Sequence, residues 1–117
     1  MIPLSQPALT DDDIAAATKV ISSGMLVQGQ NVAQFEEAIA SLTGARYAVA
    51  LSSCTAALHT SLLGLGIGLG DLVIVPAYSW PATANVVELT GAVPVFVDID
   101  DETYNIDPDR LKSTLQQ

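Results

Sequence analysis

Apolar residues recur every three or four positions over the first 45 residues, a spacing that predicts two amphipathic helices. The first predicted helix begins after a cap at Thr10 and carries three aspartates in its first turn. It ends at about Ser23, before Gly24. The second predicted helix ends at Gly44. Its apolar stripe consists of Val32, Phe35, Ile39 and Leu42.

The pattern changes after residue 45, where short apolar runs alternate with helical stretches. Three of these runs predict strands, over residues 47–51, 72–76 and 94–99. A helix is predicted after each strand: from 55 to about 65, from Pro81 to Gly91, and from Pro108 onward with Asp107 as its cap. Strands that are apolar on both faces and alternate with helices indicate parallel pairing. The sequence therefore predicts an α/β fold, a partial three-layer parallel sheet with flanking helices.

We expect residues 1–117 to form a single incomplete domain, with two helices in residues 1–45 and a βαβαβα arrangement in residues 46–117. A sheet of three parallel strands would leave two edges exposed. Half of the residues are hydrophobic, and the last helical pattern leads to no further strand. These features predict the first part of a larger domain, or a surface that meets another subunit.

The charge balance narrows the possible partners. Four lysines and arginines stand against thirteen aspartates and glutamates, giving a net charge of −9, so no basic surface is expected to bind nucleic acid. The single cysteine excludes an internal disulfide and suits a reducing compartment. The opening "MIPLSQPALT" lacks the pattern of a signal peptide, and no apolar run is long enough for a bilayer span. A cytoplasmic protein without a membrane partner is expected.

The junction "LSSCTAALH" is the first candidate site. A predicted strand passes almost directly into a helix, whose free N–H groups and dipole favour an anion such as a phosphate. The side chains of Ser53, Cys54 and Ala56 are small enough to let an anion approach, and the Thr55 hydroxyl is a further donor. The alternative is that Thr55 only caps its own helix.

The loop "PAYSWPATAN" leaves the carboxyl end of a predicted strand, where ligands bind in open α/β sheets. Trp80 either stacks on a flat ring there or fills the core. Three weaker candidates have plainer interpretations. "GLGIGLG" is a helix end and connector rather than a dinucleotide loop, Cys54 and His59 are structural residues rather than a nucleophile and base, and "DIDDE" is a solvated turn rather than a metal site.

Four segments in the same order resemble the DegT/DnrJ/StrS family of pyridoxal-phosphate-dependent (PLP-dependent) sugar aminotransferases. They are "IPLSQPAL", "SSGMLVQGQNVAQFEEAIA", "AVALSSCTAALHTSLLGLGIGLGDLVIVPAYSWPATANVV" and "GAVPVFVDIDDETYNIDP". The resemblance covers nearly the whole chain. It implies the amino-terminal part of the large domain of fold-type-I aminotransferases. It also implies transfer of an amino group, typically from glutamate, to a keto-sugar attached to a nucleotide.

The resemblance also implies roles for particular residues. Cys54, Thr55 and Ala56 would hold the phosphate of PLP, although the family often has glycine where this chain has Cys54. Trp80 would stack on the pyridine ring. The substrate-contacting segment would include Met25 and Leu26, where the family often has an aromatic residue at the position of Met25.

The family's cofactor-attaching lysine and ring-nitrogen aspartate have no counterpart in this sequence. The two lysines, Lys19 and Lys112, do not match the family's lysine. No catalytic residue is therefore assigned, and the chain alone is expected to be inactive.

Three alternatives remain open: a sugar dehydratase relative, a non-catalytic module that oligomerises or binds a partner chain, and the inert product of a broken reading frame. In this family the strand at 47–51 is separated from the next two by strands that come later in sequence. Self-association into a homo-oligomer is therefore expected.

Overall fold

The computed structural model describes residues 4–116, so Ile2 and Pro3 of the opening motif lie outside the described residues. The chain divides into two compact units, one up to Ala50 and one from Leu51. The elements, in chain order, are α1 (Asp11–Ser23), α2 (Gln30–Thr43), α3 (Cys54–Gly64), β1 (Leu72–Pro76), α4 (Ala82–Leu89), β2 (Val93–Val97) and α5 (Pro108–Thr114). Both α1 and α2 belong to the first unit.

The predicted start and end of α1 are confirmed. The Thr10 hydroxyl oxygen accepts a hydrogen bond from the Asp13 N–H at 3.3 Å, and the Asp13 carboxylate accepts one from the Thr10 N–H at 2.8 Å. This reciprocal pair satisfies two donors at the start of the helix. Gly24 follows the helix with φ of 71°, a left-handed conformation that glycine adopts at little cost.

The sheet of the second unit has two parallel strands, β1 and β2, joined through α4. Their register runs from Leu72 opposite Val93 to Pro76 opposite Val97. The core lies where α4 packs on this sheet. Its buried residues are Val75, Val86, Val87, Ala92 and Val97. The α/β class is confirmed, with a small parallel sheet covered by helices.

The predicted strand over residues 47–51 is the main difference. Within the described residues this segment pairs with no strand. The Ala50 N–H instead donates to the Glu36 carboxylate on α2, at 2.8 Å. An apolar run shows that a segment suits a buried strand, but the strand forms only where a neighbour offers a hydrogen-bonding ladder.

Smaller differences occur at the element boundaries. Helix α3 begins at Cys54 rather than at residue 55, and Pro81 precedes α4 instead of starting it. The predicted strand 94–99 ends at Val97, after which Ile99 forms an isolated antiparallel bridge with Ile106. Asp107 caps α5 with Pro108 as its first residue, as predicted.

The "GLGIGLG" segment is a helix end and connector, as predicted. Helix α3 stops at Gly64, and the chain turns through Gly66 and Gly70, with φ of 76° and 96°, before β1. Across residues 4–116, none of the helices combines the length and apolarity that a membrane crossing requires.

Candidate functional site

Ser53 organises the start of α3. Its backbone is extended, with φ of −160° and ψ of 159°, and its hydroxyl oxygen accepts a hydrogen bond from the Ala56 N–H at 3.1 Å. The Ser53 carbonyl accepts another from the Ala57 N–H at 3.0 Å. The alternative in which Thr55 caps this helix is therefore wrong, because Ser53 occupies the capping position.

The remaining donors at this helix start have no acceptor among the described residues. They are the backbone N–H groups of Cys54 and Thr55, and the Thr55 hydroxyl makes no hydrogen bond there either. Both residues are exposed. The first turn of α3 contains no acidic residue, whereas the first turn of α1 contains three aspartates. In a chain of net charge −9, the start of α3 therefore keeps the positive end of its helix dipole available to an anion.

Cys54 adopts helical geometry at the first position of α3. Among the described residues other than glycine, only Tyr104 has a positive φ. A side chain is therefore tolerated at Cys54 without backbone strain. The exposed Cys54 thiol and His59 lie five residues apart on α3, about 140° around the helix. This separation favours the structural interpretation of both residues over a nucleophile with its base.

Trp80 lies in the loop between β1 and α4, and its side chain is 79% exposed. The alternative in which Trp80 fills the core is wrong. The core of this unit is filled by valines, and the indole ring remains open to solvent. The Trp80 carbonyl accepts a hydrogen bond from the Thr83 N–H at 2.9 Å, and the Thr83 hydroxyl lies 2.9 Å from that of Ser79. These contacts fix the backbone of the loop while the ring stays free to stack on a planar group.

The starts of α3 and α4 lie toward the same edge of the sheet. A Cβ placed on Gly68 would lie 3.6 Å from the Thr90 carbonyl oxygen, and one placed on Gly91 would lie 3.5 Å from the Leu69 nitrogen. The segments that follow the two helices are therefore in contact. Because α4 leaves the carboxyl end of β1, both helices begin toward that edge. The start of α3 and the Trp80 loop accordingly lie toward the edge where open α/β sheets bind ligands.

Met25 and Leu26 lie in the first unit, in the turn after α1, and both side chains are exposed. The turn is held by a hydrogen bond from the Leu26 N–H to the Gly24 carbonyl at 3.1 Å. A Cβ placed on Gly29 would lie 3.1 Å from the Met25 side chain, so the methionine folds back over that glycine. Substrate contact at these two residues stays a prediction.

The "DIDDE" segment forms a turn organised by Asp100. Its carboxylate accepts hydrogen bonds from the Thr103 N–H at 2.8 Å and from the Thr103 hydroxyl at 2.7 Å. The Thr103 hydroxyl and N–H stabilise the charged form and lower the pKa of Asp100. Within residues 4–116, no three histidine, cysteine, aspartate or glutamate side chains cluster as metal ligands would.

Two features of this edge were missed in the sequence. From the sequence, we interpret Ser53 only as a small side chain, although a serine directly before the first helical residue is a typical cap, whose hydroxyl accepts the N–H two or three residues later. The packing of Tyr78 against Tyr104, with ring centroids 5.8 Å apart, joins two loops that are distant in sequence. No local signal could have identified that contact.

Residues 7–117 match the DegT/DnrJ/EryC1/StrS aminotransferase family. The chain is also similar to three solved structures. A Streptococcus pneumoniae protein described as a sugar aminotransferase, in its PLP form, is 37% identical with a TM-score of 0.90, covering 96% of this chain and 29% of that chain. A DegT/DnrJ/EryC1/StrS aminotransferase from Brucella abortus is 38% identical with a TM-score of 0.82, covering 88% of this chain and 29% of that chain.

The third structure is named as a dehydratase rather than as an aminotransferase. It is a GDP-4-keto-6-deoxy-D-mannose-3-dehydratase of E. coli with bound hydrated PLP, 35% identical with a TM-score of 0.88. The match covers 95% of this chain and 30% of that chain. The present chain thus spans less than a third of the length of the structures that it matches.

Proposed function

This chain belongs to the DegT/DnrJ/EryC1/StrS aminotransferase family, and on that premise we propose that it supplies the PLP-phosphate turn of an enzyme acting on nucleotide-linked keto-sugars. The observation that carries the proposal is the start of α3, where two N–H groups and one hydroxyl have no acceptor among the described residues. Glutamate is the amino donor that we propose for the complete reaction.

The residues of the turn fit a phosphate monoester. The Cys54 and Thr55 N–H groups would donate to its oxygens, and the Thr55 hydroxyl would add a third, charge-assisted hydrogen bond. No carboxylate in the first turn of α3 opposes the dianion. The exposed ring of Trp80 would stack on the pyridine ring and hold its plane. When bound, PLP supplies an electron sink that stabilises the carbanion formed at the amino acid.

We propose that the 117 residues do not catalyse transamination by themselves. Proton transfer at the amino-acid carbon needs a lysine beside the cofactor. Lys19 lies on α1 and Lys112 on α5, so neither lies at the start of α3 or in the Trp80 loop. The chain's own contribution is to bind and orient the cofactor.

Two alternatives remain within this proposal. The similarity to a sugar dehydratase, at 35% identity against 37% for an aminotransferase, leaves the reaction of the complete enzyme open between amination and dehydration. A non-catalytic module that oligomerises or binds a partner chain would keep the fold without using the turn. Phosphate binding at α3 separates this second alternative from the main proposal.

The remaining elements of the proposal concern partners and compartment. We propose that Met25 and Leu26 contact the sugar nucleotide, since their segment resembles the family's substrate-contacting segment and both side chains are exposed. Further copies of the chain are proposed as protein partners. The cytoplasm is the proposed compartment, since the one cysteine, Cys54, is a free thiol, which is typical of reducing surroundings.

The phosphate turn is tested by titrating PLP and following the fluorescence of Trp80, the single tryptophan. We expect saturable quenching that weakens at least about tenfold in Thr55→Ala, because a hydrogen bond to a charged group contributes about 1.5–3 kcal/mol. Thr60→Ala is the matched control, because Thr60 is an exposed threonine on the same helix. Equal affinities of the two variants would contradict the proposal.

Two further controls isolate the phosphate. Pyridoxal lacks the phosphate, so it should quench Trp80 far more weakly than PLP at equal concentration. A double variant, Lys19→Arg with Lys112→Arg, removes both lysines that could react with the aldehyde. Its quenching should match that of the unaltered chain if the turn, rather than a lysine, is the site.

A further inference from the structure

The loop that carries Trp80 is anchored by its backbone at both ends. At its start, the Ala77 N–H donates to the Val97 carbonyl at 2.8 Å, which extends the ladder between β1 and β2 by one residue. At its end, the Trp80 carbonyl accepts the N–H of Thr83, in the first turn of α4, at 2.9 Å. Two residues lie between Ala77 and Trp80, so the placement of the indole ring depends on how these two are held.

Tyr78, the first of these two residues, is held by an aromatic contact. Within residues 4–116, the Tyr78 N–H and carbonyl take part in no hydrogen bond. The Tyr78 ring lies 5.8 Å from the Tyr104 ring, measured between centroids, and the two planes are inclined at 44°. This separation is typical of attractive aromatic pairs. The contact therefore joins the Trp80 loop to the turn that follows β2.

Hydrogen bonds hold the turn that presents Tyr104. The Tyr104 N–H donates to the Asp100 carbonyl at 2.8 Å, and the Asp100 N–H donates to the Asn105 carbonyl at 2.9 Å. The Asp100 carboxylate accepts the N–H and the hydroxyl of Thr103, and an antiparallel bridge closes the base of the turn. None of these bonds involves the tyrosine ring, so the turn is expected to fold without it.

Tyr104 has a backbone conformation that large residues rarely adopt. Its φ is 58°, and among the described residues other than glycine it is the only one with a positive φ. The left-handed region favours glycine and asparagine, and a bulky residue there is strained unless its surroundings hold it. A tyrosine thus stands where the backbone favours a smaller residue. This mismatch indicates that the ring itself has a role at this position.

We propose that Tyr104 is a positioning residue, which holds the Trp80 loop through Tyr78 in the orientation that stacking on a planar ring requires. The inference rests on the proposed stacking of Trp80 on PLP, and Tyr104 itself is not expected to touch the cofactor. Because only Ser79 separates Tyr78 from Trp80, a displacement of the Tyr78 ring would move the indole. An aromatic contact of this kind favours one loop arrangement over others by about 2- to 10-fold.

The first test measures the motion of Trp80 without any ligand. Tyr104→Asn removes the ring and keeps a residue that tolerates the left-handed backbone, whereas Tyr104→Phe keeps the ring. Time-resolved fluorescence anisotropy reports on Trp80 alone, because it is the single tryptophan. We expect a larger fast component in Tyr104→Asn than in the unaltered chain, and Tyr104→Phe should match the unaltered chain. Tyr47→Asn is the matched control, since Tyr47 lies in the first unit.

The second test measures PLP affinity by quenching of Trp80. We expect affinity about 2- to 10-fold weaker in Tyr104→Asn than in the unaltered chain, with Tyr104→Phe restoring it. A ring that only stabilised its own turn would lower the urea midpoint and leave both the anisotropy and the affinity of the folded chain unchanged.

The two readouts separate this inference from the proposed function. If Tyr104→Asn leaves either the fast component or a measurable PLP affinity unchanged, the positioning role is overturned. If the unaltered chain does not bind PLP, the proposed function fails, and the anisotropy alone decides whether Tyr104 holds the loop.

A double variant tests whether the two rings act through one contact. Tyr78→Ala should also enlarge the fast component of the Trp80 anisotropy. Combining it with Tyr104→Asn should add no further effect, because one contact can be lost only once. Additive effects of the two substitutions would overturn the proposal, since each ring would then act on the loop by itself.

Discussion

At the scale of single residues, short-range hydrogen bonds decide where this chain turns and where helices start. Thr10 pairs with Asp13 at the start of α1, and Asp100 pairs with Thr103 in the turn after β2. The Thr10 N–H and then its hydroxyl lower the pKa of Asp13, because both donate to the charged carboxylate. Such contacts were readable in the sequence because the partners are three residues apart.

The lowered pKa of Asp13 has a consequence for acid unfolding. The stabilisation is fully present above the unfolded pKa of 3.8 and is lost as the pH falls through the lower folded value. Urea unfolding followed by circular dichroism should therefore show that Asp13→Asn is less stable than the unaltered chain at pH 7, with the difference shrinking below about pH 3.8. Asp11→Asn is the control, since Asp11 lies outside the capping pair. An unchanged difference at pH 2 would contradict this expectation.

At the scale of elements, each predicted helix exists, but the helices differ in the charge of their first turns. Helices α1 and α5 have acidic residues in the first turn, whereas α2, α3 and α4 have none. The strands β1 and β2 also formed where the apolar runs predicted them. The predicted strand over residues 47–51 has no neighbouring strand among the described residues, and sequence periodicity does not show whether a neighbour is present.

The cap of α3 gives a prediction at this scale. Ser53→Ala removes the acceptor of the Ala56 N–H and should lower the free energy of unfolding by about 1 kcal/mol. Ser52→Ala is the matched control, because the Ser52 side chain makes no hydrogen bond within the described residues. The midpoints of urea unfolding would measure the change in stability of both variants.

The same variant probes the phosphate turn. Since Ser53→Ala leaves the Cys54 and Thr55 donors unchanged, we expect PLP affinity to persist wherever the chain is folded. A loss of PLP affinity in folded Ser53→Ala would show that the Ser53 cap positions the Cys54 and Thr55 donors.

At the scale of the whole molecule, few side chains are buried. Within residues 4–116, five small aliphatic side chains are buried, and most of the larger apolar side chains are exposed. Folding stability is a small difference between large terms. The apolar contacts of α4 with the sheet are therefore expected to limit stability.

Val87 tests this core, because it lies on α4 with 1% of its surface exposed. Val87→Ala should destabilise the fold by about 2 kcal/mol through lost burial and the cavity left behind. Val27→Ala makes the same change at an exposed position and should alter stability by less than about 0.5 kcal/mol. Equal effects in chemical denaturation would mean that the α4 packing does not limit stability.

The sequence by itself determined the helices, the caps of α1 and α5, the strands β1 and β2, and the composition of the α3 turn, because these depend on residues within one or two turns of each other. Only the tertiary structure decided that residues 47–51 stay unpaired, that Trp80 is exposed, and that Tyr78 meets Tyr104. Each of these depends on neighbours distant along the chain. Strand pairing and burial depend on contacts between segments. A pattern within one segment therefore predicts which secondary structure the segment can form, but not which other segment it packs against.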